Sequence, residues 1–369
     1  MDNQNYSRKI CISTNSTCNL NCIYCFEKNK KPFEFDENEA LRIIKGFLKT
    51  RTKRGTKIKL LGGESFLVFP KIKIMCESLW EQDFPEYYHI HITTNGTLVH
   101  GEIQEWLYKH RDKITIKLSL DGNKKSSDIN RPKSFNLVDI PFFLKTWPDI
   151  YVNMTITPET IPYFYDNIIY LHSIGIKNIV SHLSLMTDWS KRGMEKDFFR
   201  QLLSLADFYL KNQEIKPCYF FSHDIGLTLI KEHCTYPCTN EQKRAYDFQT
   251  KKFYKCHMCF PSLGGEKVSE QLSRIDFSKI NDADKDPCVK CKFFNLCITC
   301  YAENYITRGA VFKRDMSMCL YNKLTFAALC KYEYARILRL AKPNDNDIRK
   351  MMAIYALQDE INAIENQVK

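Results

Sequence analysis

Over residues 9–183 the chain alternates short β-branched and apolar runs with longer segments whose apolar positions recur at helical spacing. The runs predict strands at 9–14, 57–61, 88–93, 114–120, 151–156 and 178–183. A helix predicted over 37–50 opens with Asp36 and, three residues on, Glu39, a capping-box-like start. A later helix stops near Ile174, because Gly175 takes a left-handed C-cap without a Cβ clash. Six strand–helix units in succession imply an α/β fold with a parallel sheet covered by helices. A curved, partial (β/α)6 barrel fits, with functional loops at the strand C-termini.

Beyond a helix predicted at 194–211 the pattern breaks into short segments and turn residues such as Gly264-Gly265. Helical periodicity returns from Leu324 and is interrupted at Pro343. These changes divide the chain into 1–215, a cysteine-rich 216–330 and a helical tail, 331–369. The middle part is expected to be organised by bound metal rather than by a large apolar core.

The 16 cysteines are unevenly placed. Four crowd the start, Cys76 stands alone, and eleven follow from Cys218 onward. With no apolar h-region in MDNQNYSRK and no run long enough to span a bilayer, a cytoplasmic protein is expected. In that setting clustered thiols point to metal or iron–sulfur ligation rather than disulfides. The net charge of +11 suits acidic partners, yet no nucleic-acid motif accompanies it. The basic stretches 28–31 and 51–59 read as solvated faces before they read as binding patches.

Cys18-x3-Cys22-x-Tyr24-Cys25 lies just past the first predicted strand. Three thiolates on one tight loop ligate three irons of a cubane and leave the fourth open to a small molecule. Leu61-Gly62-Gly63-Glu64 follows the second strand, where two glycines permit close approach and Glu64 offers an acceptor for an ammonium. Asn153 and Thr155 alternate on the fifth strand and share one side of it. In the C-terminal third, Cys288-x2-Cys291-x5-Cys297-x2-Cys300 is preceded by Cys234, Cys238 and Cys256 and followed by Cys319. Taken alone, paired Cys-x2-Cys units suit a zinc site at least as well as an iron–sulfur cluster.

The first loop resembles the radical S-adenosylmethionine (SAM) signature, and the C-terminal cysteines resemble the SPASM domain of that superfamily. The resemblance implies three 4Fe-4S clusters, one SAM-binding at Cys18, Cys22 and Cys25 and two auxiliary. By position, Cys234, Cys238, Cys256 and Cys300 would hold the first auxiliary cluster, and Cys288, Cys291, Cys297 and Cys319 the second. It also implies that Tyr24, Gly62, Gly63, Glu64, Thr94, Asn95, Ser119, Asp121 and Arg131 form the SAM-binding face, to which Asn153 is added as a candidate from its place on the fifth strand. Two differences stand out: Cys297-x2-Cys300 has one residue fewer than the family pattern, and Lys251 stands where the family has glycine.

The implied chemistry is one-electron reduction of SAM by an external donor such as flavodoxin or ferredoxin, giving a 5′-deoxyadenosyl radical that takes hydrogen from the substrate. The layout is similar to anaerobic sulfatase-maturing enzymes, in which an Asp after the middle cysteine serves as base. Here that position is His257, a side chain that accepts a proton near neutral pH. The expectation is therefore oxidative crosslinking of a ribosomally made, acidic peptide, with no membrane or nucleic-acid partner. A small-molecule dehydrogenase, a peptide epimerase using a thiol such as Cys259, a protein maturase and a non-catalytic metal-stabilised binding protein stay open beside it.

Overall fold

A computed structural model describes residues 6–28, 31–190, 193–230, 242–277, 280 and 288–368. The first half is the expected alternation: β1 (Arg8–Ser13), α1 (Glu37–Leu48), β2 (Thr56–Leu61), α2 (Phe69–Trp80), β3 (Tyr88–Thr94), α3 (Glu102–Lys109) and β4 (Ile114–Ser119). It continues through α4 (Lys124–Asn130), α5 (Ile140–Thr146), β5 (Tyr151–Ile156), α6 (Phe164–Ser173), β6 (Asn178–Leu183) and α7 (Glu195–Lys211). Each strand matches its expected range to within a residue at either end.

The chain folds into two compact units that interleave along the sequence. The first comprises Met1–Leu120, Arg131–Asn153 and Cys238–Lys279. In it β1 to β4 run parallel in sequence order, and the first half of β5 pairs with β4 through Ser119 and Asn153. Ile10, Ile58, Ile90 and Leu118 are fully buried on one face of this sheet. Polar side chains alternate with them on the other, as the two-residue period of a strand requires.

Two further strands, β7 (Lys243–Asp247) and β8 (Lys252–Tyr254), complete this sheet: β7 lies parallel to β1, and β8 returns antiparallel to β7. The expected boundary near 215 runs along the chain, whereas this hairpin from the cysteine-rich stretch belongs by contact to the first unit. Its turn contains Lys251 at φ 55°, a left-handed backbone that favours glycine. The position at which the family carries glycine has thus kept the glycine conformation. Asp36 caps α1 by accepting from the backbone N–H groups of Asn38 and Glu39. The Glu39 side chain accepts instead from the Tyr246 hydroxyl, tying α1 to β7. Short helices α8 (Pro261–Gly264) and α9 (Glu266–Arg274) follow the hairpin.

The second unit comprises Asp121–Asn130, Met154–Pro237 and Ile280–Lys369. Ser184 N–H donates to Ile156 C=O, continuing β6 alongside the end of β5. Gly175 closes α6 at φ 97°, as expected. The unit's C-terminal helices are α10 (Tyr301–Arg308), α11 (Cys319–Leu338), α12 (Asp345–Ala356) and α13 (Gln358–Asn366). The break at Pro343 falls between α11 and α12, where Asn344 and Asp347 form a reciprocal capping box. Tyr321, Leu324 and Leu329 of α11 are fully buried, so this helix is a core element of the unit.

Candidate SAM and cluster-binding site

β1 ends at Ser13, and the chain does not leave the sheet at once. Thr14 N–H donates to Leu61 C=O at 2.7 Å, Gly63 N–H to Asn15 C=O at 3.2 Å, and Glu64 N–H to Thr17 C=O at 3.0 Å. The ladder between the first two strands is thus extended into the loops that follow them. Gly62 and Gly63 are required for this closeness. A Cβ on Gly62 would lie 2.4 Å from the Asn15 carbonyl oxygen, and one on Gly63 would lie 2.0 Å from that of Thr17. The glycines that the sequence marked for close approach leave space, in the structure, for the root of the cysteine loop.

Cys18, Cys22 and Cys25 are half-buried on that loop. Cys18 Sγ is approached by Leu20 N–H at 3.4 Å and Asn95 Nδ2 at 3.8 Å. Arg131 Nη1 lies 3.9 Å from Cys22 Sγ, and its guanidinium sits 5.3 Å from the centre of the Tyr24 ring. Arg131 is 7% exposed, so it is a buried cation held against the cysteine loop rather than a solvated surface residue. N–H donors and a positive charge directed at sulfur suit thiolates better than thiols, because a neutral thiol is a weak acceptor. This donor set fits a cluster held by Cys18, Cys22 and Cys25.

Glu64 is 1% exposed and joins the second and third loops. Its Oε1 accepts from Thr94 Oγ1 at 2.7 Å and Phe66 N–H at 3.1 Å, and its Oε2 from Asn95 N–H at 2.7 Å. Burial pushes its carboxyl pKa up, while these three donors and Arg131 pull it back down. Asn95 also donates to Asn19 Oδ1 at 2.9 Å, and Asn19 donates to Thr97 Oγ1 at 2.8 Å. Asn15 and Asn19 are positioning residues that the sequence reading missed. The available hint was their place in the polar run that brackets Cys18.

Ser119 and Asn153 are paired across β4 and β5 in the same unit. Asp121 belongs to the second unit, is fully buried and accepts Thr155 N–H at 2.9 Å. Thr155 Oγ1 in turn lies 3.4 Å from His182 Nε2.

Of the expected auxiliary ligands, Cys234 and Cys238 lie outside the described residues. In the first unit Cys256 Sγ is 3.7 Å from Cys259 Sγ, and this contact, with burial, raises the Cys256 thiol pKa. Burial, with Lys59 nearby, lowers the His257 pKa to about 3. In the second unit, burial raises the pKa values of Cys297 and Cys319, and Cys291 raises both further, so these three thiols form one electrostatic group. Cys288 C=O accepts Cys291 N–H, so the fourth expected member stands on the same turn as Cys291. Cys300 caps α10, its sulfur accepting Glu303 N–H at 3.5 Å. Among the described residues, no three His, Cys, Asp or Glu side chains converge as the ligands of one metal ion would.

The sequence profile of the Radical SAM superfamily matches residues 12–198, and the chain belongs to that superfamily. Membership implies a 4Fe-4S cluster and SAM. Among solved structures, anSMEcpe with bound AdoMet, an anaerobic sulfatase-maturating enzyme, superposes with a TM-score of 0.64 at 18% identity, covering 89% of this chain and 98% of that one. Streptococcus suis SuiB bound to precursor peptide SuiA gives 0.55 at 18% identity, covering 85% and 76%. At that identity the likeness is one of fold. An uncharacterized Methanocaldococcus jannaschii protein is 28% identical over 250 residues, covering 59% of this chain and 80% of its own length. The GTP 3',8-cyclase of Clostridium perfringens is 30% identical over 125 residues, 32% of this chain and 37% of the cyclase. Among the described residues no helix is long and apolar enough to cross a membrane.

Proposed function

We propose that this protein is a cytoplasmic radical SAM enzyme that oxidatively crosslinks a ribosomally made, acidic peptide. The observation that carries the peptide reading is the shared fold with SuiB, which is described with a precursor peptide bound. The reading assigns the SAM-binding cluster to Cys18, Cys22 and Cys25. It assigns auxiliary clusters to Cys234, Cys238, Cys256 and Cys300, and to Cys288, Cys291, Cys297 and Cys319. When bound, the first cluster and SAM supply electron transfer and hydrogen-atom abstraction.

The protein's own part is positioning. Asn95 and Leu20 N–H hold Cys18, Arg131 neutralises charge beside Cys22, and Glu64 locks the second and third loops into one wall of the site. An external flavodoxin or ferredoxin provides electrons. Cys259, 2% exposed and next to Cys256, favours epimerisation as the second reading, because a thiol can return a hydrogen atom to a product radical.

The test is to give the reduced, reconstituted enzyme SAM and the peptide encoded beside its gene, in deuterated buffer. Loss of two hydrogens supports crosslinking, and gain of one deuterium supports epimerisation. Turnover of a small metabolite with every peptide unchanged refutes the peptide reading. Iron approaching ~12 atoms per chain is expected for three four-iron clusters, and stoichiometric zinc with one cluster's worth of iron contradicts the assignment.

A further inference from the structure

Two helices of the second unit leave large apolar side chains in water. On α12, Ile348, Met352 and Tyr355 recur at i, i+4 and i+7, and on α11, Tyr334 and Leu338 recur at i and i+4. The Tyr334 and Tyr355 rings meet edge to face with centres 6.4 Å apart, which joins the two stripes. All five residues are between 38% and 63% exposed. Among the described residues, no helix outside this pair carries more than one large apolar side chain so exposed.

The stripe on α12 is not the margin of its core face. Ala353 and Ile354 are buried on the opposite side of the helix. On that side Asp347 and Lys350 are tied to Arg336 and Glu333 of α11. At about 100° per residue, Ile348, Met352 and Tyr355 fall within roughly 60° of one another on the outer side. A helix that is apolar on two opposite faces is stable in water only when both are covered.

Area and charge point to what covers it. The five side chains leave roughly 500 Å² in water, taking ~200 Å² for each when fully exposed. A standard interface buries about 800 Å² per partner, of which about 65%, again ~500 Å², is apolar in homodimers. The two ends of the α12 stripe carry opposite charge. Exposed Arg339 and Lys342 outnumber Asp345 at its start, whereas Asp359 is exposed just past its end and Glu360 is already paired with Lys292. A two-fold axis near Met352 lays the stripe head to tail on its own copy, so the basic end of one copy meets the acidic end of the other.

We infer that the outer face of α11 and α12 is a two-fold interface between two copies of this chain. The inference stands apart from the proposed reaction, because none of these residues is assigned to SAM or to a cluster.

Sedimentation velocity of the reconstituted full-length protein, over about a hundredfold range of concentration, should show a species of twice the 43.5 kDa chain mass that grows by mass action. Met352→Glu should weaken that dimer at least ~10-fold. Ile74→Glu, an exposed apolar position on α2, should leave it unchanged. Lys342→Glu and Asp359→Lys test the head-to-tail geometry on exposed positions that folding does not need. Each alone is expected to weaken the dimer severalfold, and the two together should restore it. Circular dichroism and iron content check that every variant is folded. A single species of the chain mass at all concentrations overturns the inference, as does a dimer indifferent to Met352→Glu. Failure of the charge exchange to restore what its two halves lose also overturns it. A monomer whose binding of the peptide encoded beside its gene is lost in Met352→Glu overturns it too, and would make the substrate the occupant of this face.

Discussion

Replacing Gly63 with Ala tests whether the Gly-Gly loop acts on the cysteine loop. The new methyl carbon would lie 2.0 Å from the Thr17 carbonyl oxygen, 2.4 Å from its carbonyl carbon and 3.0 Å from Cys18 N. All three are backbone atoms of the segment that presents Cys18, so no side-chain rotation relieves the contact. That segment must retreat by about 1 Å or more to restore van der Waals separation. The Glu64 N–H to Thr17 C=O bond, 3.0 Å long, is then lost. Overpacking of this kind costs on the order of 1–3 kcal/mol, and the lost hydrogen bond about 1 more. A shift of ~1 Å in a reacting group reduces rate by roughly 100-fold. The assay is 5′-deoxyadenosine formed from SAM under chemical reduction, with iron content and circular dichroism read on the same sample. Gly46→Ala, where a Cβ meets nothing within 4 Å, is the control and should be neutral or slightly stabilising. SAM cleavage by Gly63→Ala within about threefold of the parent would refute the reasoning.

Arg131→Met keeps the bulk beside Tyr24 but removes the donor and charge at Cys22, so SAM cleavage should fall about 10- to 100-fold with the fold retained; steady-state kinetics with varied SAM checks this. Lys9 keeps its proton up to about 10.5 when unfolded but releases it at about 8 when folded, so between these values the unfolded chain binds more protons and stability rises with pH. Lys9→Met should therefore be more stable than the parent below pH 8, by about 1–2 kcal/mol after allowance for partial exposure, and the advantage should vanish above pH 10.5. Urea denaturation at pH 7 and at high pH measures the difference, and a pH-independent gap would count against it. Lys251→Gly relieves a left-handed backbone at an exposed turn and is expected to stabilise the protein by about 1 kcal/mol, read from the melting temperature.

Local pattern was enough to specify the alternating half of the fold, because strand and helix periods are properties of neighbouring residues. Residues 9–14 and 57–61 read as strands and are so, and the cysteine loop follows the first of them as expected. Loop chemistry was legible for the same reason, since Cys18, Cys22, Cys25, Tyr24, Gly62 and Gly63 sit within two short stretches. What needed tertiary structure were relations between distant segments. β7 escaped notice because KRAYD has little strand signal of its own and is stabilised by pairing with β1. Arg131 could not be distinguished from a solvated arginine until folding put it against Cys22 and Tyr24. Gly62 and Gly63 read as points of close approach, and only the fold shows that the backbone of Asn15 and Thr17 lies where a Cβ would stand. The lysines show the division most clearly. Lys57 and Lys59 looked like part of a solvated basic run, yet strand register sets them on one face with Lys9, Lys117 and Lys243. Sequence fixes the two-residue period that gives each strand its faces. The pairing of strands far apart in the chain decides which charges share one.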